Sequence, residues 1–310
     1  MTRHFLRDDD LSPQEQAAVL QTAARLKSQR FTTRPLDGPR SVALIFDKPT
    51  LRTQLSFSTG VVELGGYPLL VDGSMAGIGV RESIPDCAQV IGRQVAAIVW
   101  RTFGQERIEQ MARYAGVPVI NALTDQFHPC QILADLLTIT EHCGSVAGVT
   151  AAYVGDAANN MAHSYLLGFA TAGMHVRVAG PNIAATDNAV VTRAREIAEQ
   201  TGGSVLLTDD VHAAADGAQV LLTDTWVSMG QEDQSPTRRG TASPFAAFAL
   251  DSKLLARAAD DAIVMHCLPA YRGFEISAEV LDGPASVVFD EAENRLHAQK
   301  ALLAFLLEHA

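Results

Sequence analysis

Short apolar runs that alternate with segments of helical spacing constrain the fold of this chain more than any other feature. The first run, 41-SVALIF-46, is continuously apolar rather than alternating, and the later runs resemble it. Continuous runs are typical of strands that are buried on both faces of a parallel sheet, with helices as the connections. The pattern predicts strands at residues 41–46, 67–71, 96–100, 117–120, 150–155, 175–180, 204–208, 218–224, 262–267 and 286–290.

This alternation predicts an α/β fold with two doubly wound parallel-sheet domains. The chain has 310 residues, whereas an ordinary domain has about 100–200. We therefore expect a first domain at residues 1–133, completed by a C-terminal helix at about 292–310. A second domain is expected at 147–290, with an interdomain helix at about 134–146.

Composition excludes several classes of protein. The formal net charge of −11 argues against a nucleic-acid partner, because phosphate contacts need an excess of basic charge. No apolar run approaches the roughly 18 residues that a membrane span requires, and the charged N-terminus is no secretory signal. We interpret the four widely separated cysteines as reduced thiols of a cytoplasmic protein, at Cys87, Cys130, Cys143 and Cys267.

The segment 50-TLRT-53 follows the first predicted strand and begins a helical segment. In open α/β sheets, ligands bind at the carboxyl ends of the strands. A helix N-terminus that carries an arginine and two hydroxyl groups suits a phosphate. The alternative is that Thr50 or Thr53 is only a helix cap, with Arg52 as a solvated charge.

Two further strand ends of the first half carry polar groups. Arg101 ends the third run and can serve a second anionic group or a developing oxyanion, although an isolated arginine there is usually a surface residue. In 127-FHPCQ-131, Pro129 suits the first turn of a helix, which places His128 at the cap and Gln131 one turn later. This pair can bind a carbonyl and an amide group, or can be a capping histidine and a buried, satisfied glutamine.

The second half offers groups that suit an amino acid. The segment 155-GDAANN-160 lacks the GxGxxG pattern, so a nicotinamide cofactor is not supported. A long polar loop at about 226–248 is expected to act as a lid. Together the two halves predict a two-substrate active site in the cleft between the domains. The candidate groups of the second half are Asn159, Asn160, Asp224, Ser228, Cys267 and, at the start of the last helix, Arg295.

The ordered motifs of the whole chain resemble those of the ornithine carbamoyltransferase family. This resemblance implies transfer of the carbamoyl group from carbamoyl phosphate to the δ-amine of L-ornithine, giving L-citrulline and phosphate in arginine metabolism, with biosynthesis as the expected direction. It also implies no metal and no organic cofactor, and a homotrimer or an assembly of trimers with active sites between subunits. The motifs are 127-FHPCQ-131, 155-GDAANN-160, 224-DTWVSMG-230, 266-HCLPA-270 and 293-ENRLHAQKA-301.

The resemblance assigns roles to individual residues. The residues expected to bind carbamoyl phosphate are Thr50, Leu51 (through its backbone), Arg52, Thr53, Arg101, His128, Gln131, Cys267, Leu268 and Arg295. The residues expected to bind ornithine are Asn160, Asp224, Ser228 and Met229. The expected catalytic residues are Arg52, Arg101, His128, Asp224 and Cys267.

The chain departs from the family pattern at two places. The family motif Ser-Thr-Arg-Thr-Arg is replaced by 50-TLRTQ-54, so that a hydroxyl group and a positive charge are missing and weaker carbamoyl phosphate binding is expected. A loop glutamine that serves a neighbouring subunit is replaced by Gly77, with Arg81 as a possible substitute. These departures leave a non-catalytic binding paralogue as one alternative. The others are a carbamoyltransferase for another amine or amino acid and an NAD-dependent dehydrogenase, against which the missing GxGxxG pattern counts.

Overall fold

The computed structural model describes residues 2–227, 233, 235–239 and 243–310 of the chain. The chain divides into two compact units. Unit 1 consists of Met1–Leu137 and Glu293–Ala310, and unit 2 consists of Thr138–Ala292.

Unit 1 is built on a parallel sheet of four strands. Its strands are β1 (Ser41–Phe46), β2 (Tyr67–Asp72), β3 (Ala97–Arg101) and β4 (Val119–Leu123), in the order β2-β1-β3-β4. Its helices are α1 (Pro13–Ser28), α2 (Arg52–Glu63), α3 (Gly73–Ala76), α4 (Ile84–Gly92), α5 (Gln105–Ala115) and the first part of α6 (Pro129–Cys143), with a 3-10 helix at Asp8–Asp10.

Unit 2 contains a parallel sheet of five strands. The strands are β5 (Thr150–Val154), β6 (His175–Ala179), β7 (Ser204–Thr208), β8 (Val220–Thr223) and β9 (Ile263–His266), in the order β7-β6-β5-β8-β9. The helices within it are α7 (Asn160–Thr171), α8 (Asn188–Thr201), α9 (Val211–Ala215), α10 (Ser235–Arg238), α11 (Ser252–Leu255) and α12 (Ala278–Leu281), with 3-10 helices at Ile183–Ala185 and Pro244–Phe248. The division between the units also falls within α13 (Val288–Glu308).

The strand orders confirm the predicted doubly wound fold. In unit 1 the chain moves outward from β1 to β2 and then returns to form β3 and β4 on the other side. In unit 2 the same reversal occurs between β5 and β8. Each sheet therefore has one point where neighbouring connections leave in opposite directions, and ligands bind beside the carboxyl ends of the strands at such points.

The strands of each sheet differ in their burial. The central strands β1, β3, β5 and β8 are buried along most of their length, as their continuous apolar runs predict. The edge strands β2 and β7 are partly exposed, whereas the opposite edge strands β4 and β9 are buried and form isolated bridges with Phe5 and Ser286. Among the helices of the described residues, none combines the length and the apolarity needed to cross a membrane.

The prediction of a strand at residues 286–290 is wrong. Ser286 forms an isolated bridge with Val264, and α13 begins two residues later at Val288. Asp290 and Glu291 lie in the first turn of this helix, where acidic side chains are favourable because of the helix dipole. The residues from Val288 onward therefore form a helix despite the β-propensity of the short apolar run.

Unit 1 contains a buried ion pair between α2 and α13. Lys300 and Glu63 are both almost fully buried, and Nζ of Lys300 lies 2.5 Å from Oε2 of Glu63. The Lys300 ammonium also donates to the backbone carbonyl of Arg30, whose guanidinium pairs with Glu63. Burial opposes the ionisation of Glu63, but the hydrogen bonds from Arg30 and Lys300 outweigh it and lower the pKa of this carboxyl.

We predict that Lys300→Met lowers the free energy of unfolding of unit 1 by about 3–5 kcal/mol, because it removes one partner of a buried ion pair. Urea unfolding, followed by the fluorescence of Trp100 in a Trp226→Phe background, measures this loss. Trp100 then reports unit 1 as the remaining tryptophan of the chain.

Two controls accompany this measurement. The double variant Glu63→Gln, Lys300→Met should recover part of the loss, since no buried carboxylate is left without its main partner. Arg3→Met, which breaks the more exposed pair with Glu15, should have a much smaller effect. Equal effects of Lys300→Met and Arg3→Met would contradict the prediction.

Candidate functional site

The beginning of α2 has no side-chain cap. Its N-cap residue is Leu51, which is 65% exposed. The leucine side chain has no atom that can accept a hydrogen bond from the first N–H groups of the helix. The alternative interpretation, in which Thr50 or Thr53 caps the helix, is therefore wrong. The positive end of the helix dipole lies beside Arg52, the first residue of α2, and this combination favours an anion.

Arg295 connects the beginning of α2 with the beginning of α6. Its guanidinium is buried and donates to Oγ1 of Thr53 at 3.0 Å and to Oε1 of Gln131 at 2.6 Å. The amide nitrogen of Gln131 in turn donates to Asp135 at 2.8 Å. With its amide in the orientation that satisfies both ends, Gln299 accepts from Arg295 as well. The structure therefore brings three of the predicted residues into direct contact.

His128 lies among three arginines. The side chain is buried directly before α6, as its position before Pro129 predicts. Burial, followed by the positive charges of Arg295, Arg101 and Arg52, holds the pKa of His128 well below its ordinary value. The imidazole is therefore neutral at pH 7 and can donate one hydrogen bond. Two guanidinium groups that are separated widely in sequence, Arg52 and Arg101, thus act on the same ring.

A cavity of about 580 Å³ adjoins the beginning of α2 and is lined by Thr50 and Gln54, among other residues. Lys48 lines it too, and sequence reasoning missed this residue. Its side chain is 7% exposed, pairs with Asp125, and lies 4.7 Å from the centre of the Phe103 ring. The available signal was its place two residues after β1, at the same sheet edge as the other cations.

In unit 2, the carboxylate of Asp224 lies buried at the end of β8. The thiol of Cys267 donates to Oδ1 of Asp224 at 3.3 Å, and the backbone N–H of Thr225 donates to the same oxygen at 2.7 Å. Burial raises the pKa of the Asp224 carboxyl, although these two hydrogen bonds act in the opposite direction. Two predicted residues from different strand ends therefore meet.

The two adjacent asparagines after β5 differ in their surroundings. Asn159 is the N-cap of α7, and its side-chain oxygen Oδ1 accepts from the backbone N–H of Ala162. Its side-chain nitrogen donates to the hydroxyl of Tyr153 at 3.0 Å and lies 3.5 Å from Oδ2 of Asp224. It therefore serves the protein rather than a ligand. Asn160 is the first residue of α7 and is half-buried.

Two predicted ornithine contacts fall in the long polar loop. Ser228 and Met229 lie outside the described residues. The expected lid at 226–248 is described only in part, and its closing motion stays a prediction.

Asp224, His266 and Cys267 form a group whose potential ligand atoms lie within 4.8 Å of one another. Such a set could in principle hold a divalent cation. However, both ring nitrogens of His266 are engaged, with Nδ1 accepting from the N–H of Leu268 and Nε2 facing Glu275. The histidine would have to give up one of these bonds to ligate a metal, so the group fits a hydrogen-bonded cluster better.

The whole chain matches one family of known proteins. Residues 3–141 match the model described as aspartate/ornithine carbamoyltransferase, carbamoyl-P binding domain. Residues 147–306 match the one described as aspartate/ornithine carbamoyltransferase, Asp/Orn binding domain.

Individual relatives are similar in sequence to this chain over almost their full length. The chain is 59% identical over 308 residues to an ornithine carbamoyltransferase of Mycobacterium ulcerans, covering 99% of each protein. It is 57% identical to one of Renibacterium salmoninarum, with complete coverage of both. A solved structure of the ornithine carbamoyltransferase of Pyrococcus furiosus is similar with a TM-score of 0.93 at 40% identity, covering 100% of this chain and 98% of that one.

We predict that the pKa of His128 is lower than that of an ordinary histidine, so that the ring stays neutral where a free histidine is half protonated. A histidine of the unfolded chain takes up a proton near pH 6.5, but His128 does so only at lower pH. The unfolded state then binds more protons, so His128 makes the free energy of unfolding decrease as the pH falls below about 6.5. The measurement is an NMR titration of 15N-histidine-labelled protein in phosphate-free buffer, with His128→Asn to assign the signal. A midpoint at or above 6.5 would contradict the prediction.

Proposed function

The chain belongs to the aspartate/ornithine carbamoyltransferase family, and we infer that it transfers the carbamoyl group of carbamoyl phosphate to the δ-amine of L-ornithine. The observation that carries this conclusion is the buried guanidinium of Arg295, which joins Thr53 at the beginning of α2 to Gln131 in α6. Together with Arg101 and Arg52, it acts electrostatically on the buried His128. A set of three cations and one neutral donor suits a substrate that has both a phosphate and a carbonyl oxygen.

The phosphate is proposed to bind at the beginning of α2. The uncapped helix end and the guanidinium of Arg52 offer positive charge, and Thr50 and Thr53 offer hydroxyl groups. The Leu51 backbone N–H is a further donor. Arg295 lies in contact with Thr53, so its charge acts on the same anion.

The carbamoyl group is proposed to bind between His128, Arg101 and Gln131. His128 and Arg101 donate to the carbonyl oxygen, which becomes an oxyanion when the amine attacks. The oxygen of Gln131 already accepts from Arg295, and its second lone pair can accept from the carbamoyl NH₂. Leu268 is proposed to contribute from the turn after β9.

Ornithine is proposed to bind to the groups of unit 2. Asn160, together with Ser228 and Met229, is assigned to the amino-acid end of ornithine. Asp224 and Cys267, which are in contact, orient the reacting amine. A free alkyl amine has a pKa near 10.4, and exclusion of water from the closed site disfavours its charged form by desolvation.

The reaction itself is an acyl transfer. The amine nitrogen forms a bond to the carbamoyl carbon, the bond from that carbon to the phosphate oxygen breaks, and the phosphate leaves with the electron pair. The nitrogen loses one proton, for which the departing phosphate is a suitable acceptor. Much of the acceleration comes from holding the two substrates in register, since positioning can supply several kcal/mol of the barrier.

The two departures from the family pattern have different physical settings. Gly77 ends α3 in the left-handed conformation (φ 63°), which a glutamine would adopt only at a cost, so the substitution fits the local backbone. Gln54 lines the cavity beside Thr50, where the missing arginine would have added positive charge. We therefore propose that carbamoyl phosphate binds more weakly here than at a site with the full motif.

A homotrimer, or an assembly of trimers, is also proposed. Leu51, Leu55 and Val62 are more than half exposed and lie on one face of α2. The edge strand β2 also exposes Tyr67 and Leu70, which point to opposite faces of the sheet. Exposed apolar groups of this number mark protein–protein contacts. Their position next to the phosphate-binding turn supports a contact that adjoins the active site.

The setting of the reaction is a further part of the proposal. We place it in arginine metabolism, in the biosynthetic direction, and in the cytoplasm. All four cysteines carry free thiols, as expected from their spacing, and this suits a reducing compartment.

We predict that the protein forms citrulline from carbamoyl phosphate and ornithine, and that Arg52→Ala lowers kcat/KM for carbamoyl phosphate by at least about 100-fold. This corresponds to the loss of about 3 kcal/mol of binding to the phosphate. A colorimetric citrulline assay measures it, with putrescine and acetylornithine as competing acceptors. Arg93→Ala, an exposed arginine of the same unit, is the matched control. Normal turnover of Arg52→Ala would remove this residue from the mechanism, and no citrulline from the wild type would favour the binding-paralogue alternative.

We predict that the wild type sediments with three times the mass of the chain, or a multiple of that mass, and that Leu55→Glu dissociates it. The charge is placed on the exposed apolar face of α2, where it opposes burial in a subunit contact. Analytical ultracentrifugation provides the measurement, and Leu206→Glu, on the partly exposed edge strand β7, is the control. A monomeric wild type would overturn the assembly while leaving the reaction unaffected.

A further inference from the structure

The backbone conformation of Leu268 is unusual. Among the described residues other than glycine, it alone has a positive φ, of 56°. An L-residue with a branched side chain rarely adopts this conformation, because Cβ approaches the backbone carbonyl. Such a conformation persists only where the surroundings hold it, and it occurs preferentially at functional sites.

The side chain of His266 holds this conformation. The backbone N–H of Leu268 donates to Nδ1 of His266 at 2.9 Å. His266 is 1% exposed, and its own backbone N–H donates to Oε2 of Glu291 at 2.8 Å, which fixes the end of β9. Because Nδ1 accepts a hydrogen bond, it carries no proton, and the imidazole proton must be on Nε2.

Glu275 selects this tautomer of His266. Its Oε1 lies 3.3 Å from Nε2 of His266, and both side chains have no exposed surface. The same oxygen accepts from the backbone N–H of Tyr271. A carboxylate oxygen only accepts, so the ring must present Nε2–H to Glu275 and an unprotonated Nδ1 to Leu268.

We propose that His266 and Glu275 are positioning residues that hold the turn at Cys267 and Leu268 in its active conformation. The chain of hydrogen bonds runs from Glu275 through His266 to the N–H of Leu268. That turn also sets the direction of the Cys267 thiol toward Asp224. The inference rests on the proposed function, which places this turn beside the carbamoyl group and the reacting amine.

Two pairs of variants test the chain of hydrogen bonds. Glu275→Gln keeps an oxygen that accepts from Nε2–H, whereas Glu275→Met has a similar length and no acceptor. His266→Asn keeps an acceptor near the position of Nδ1, whereas His266→Leu has none. We expect the Met and Leu variants to lose about 10- to 100-fold in kcat/KM for ornithine, because a small misplacement of reacting groups has an effect of this size. The Gln and Asn variants should stay within several-fold of the wild type.

The readouts separate positioning from stability. Thermal unfolding reports folding, and kcat and both KM values are measured only on folded protein. A purely structural role predicts a loss of thermal stability with unchanged kinetics of the folded fraction. Asp282→Asn, which breaks an exposed pair with Arg272 in unit 2, controls for the loss of a carboxylate. Kinetics within about twofold of the wild type for folded Glu275→Met and His266→Leu would overturn the proposal.

A spectroscopic measurement on the unmodified protein does not depend on the folding of any variant or on turnover. The 15N shifts of the His266 ring, assigned with His266→Asn, should be those of the neutral Nε2–H tautomer. A proton on Nδ1 would overturn the proposal even if citrulline is formed. If the wild type forms no citrulline but shows the expected tautomer, the proposed function fails while the hydrogen-bond chain stands.

Discussion

One buried guanidinium, that of Arg295, holds together the part of unit 1 that is proposed to bind the phosphate. It joins Thr53 at the beginning of α2 to Gln131 in the first turn of α6, and its charge lowers the pKa of His128. A charge can remain this deeply buried only where hydrogen bonds satisfy it. The orientation of the Gln131 amide and of the Thr53 hydroxyl therefore depends on one side chain, which also adds to the effect of burial on His128.

Most of the fold could be predicted because strands buried on both faces leave a continuous apolar run in the sequence. The observed β1 and β7 have the predicted bounds, and the ends of the other strands lie within three residues of the predicted ones. The strand predicted at residues 286–290 is wrong because its apolar run is too short to be diagnostic. A short segment with three consecutive apolar residues, Val287–Phe289, does not distinguish a strand from the first turn of a helix, and here Val288 begins α13.

The candidate site was predictable in its residue types but not in its contacts. Arg52, Arg101 and Asp224 lie at or just after the carboxyl ends of strands in their sheets. The topology therefore predicts which charged groups can meet a ligand. Which of two adjacent asparagines caps a helix, and that Glu275 faces His266 from nine residues away, depend on how each turn directs its side chains. Sequence spacing alone carries no such information. Leu268 adopts a backbone conformation that leucine disfavours. Such conflicts between local preference and structure are expected at functional sites.

Unit 1 is discontinuous in sequence, since residues 1–137 are completed by 293–310. During synthesis on the ribosome, the first segment therefore emerges long before Arg295 and Lys300 are made. The segment that emerges first contains Arg52, Arg101 and Arg30, but it lacks Arg295 and the second cationic partner of Glu63, which is Lys300. The proposed phosphate site is therefore complete only after residues 293–310 have been made. A fragment that stops at residue 137 is expected not to bind a phosphorylated metabolite.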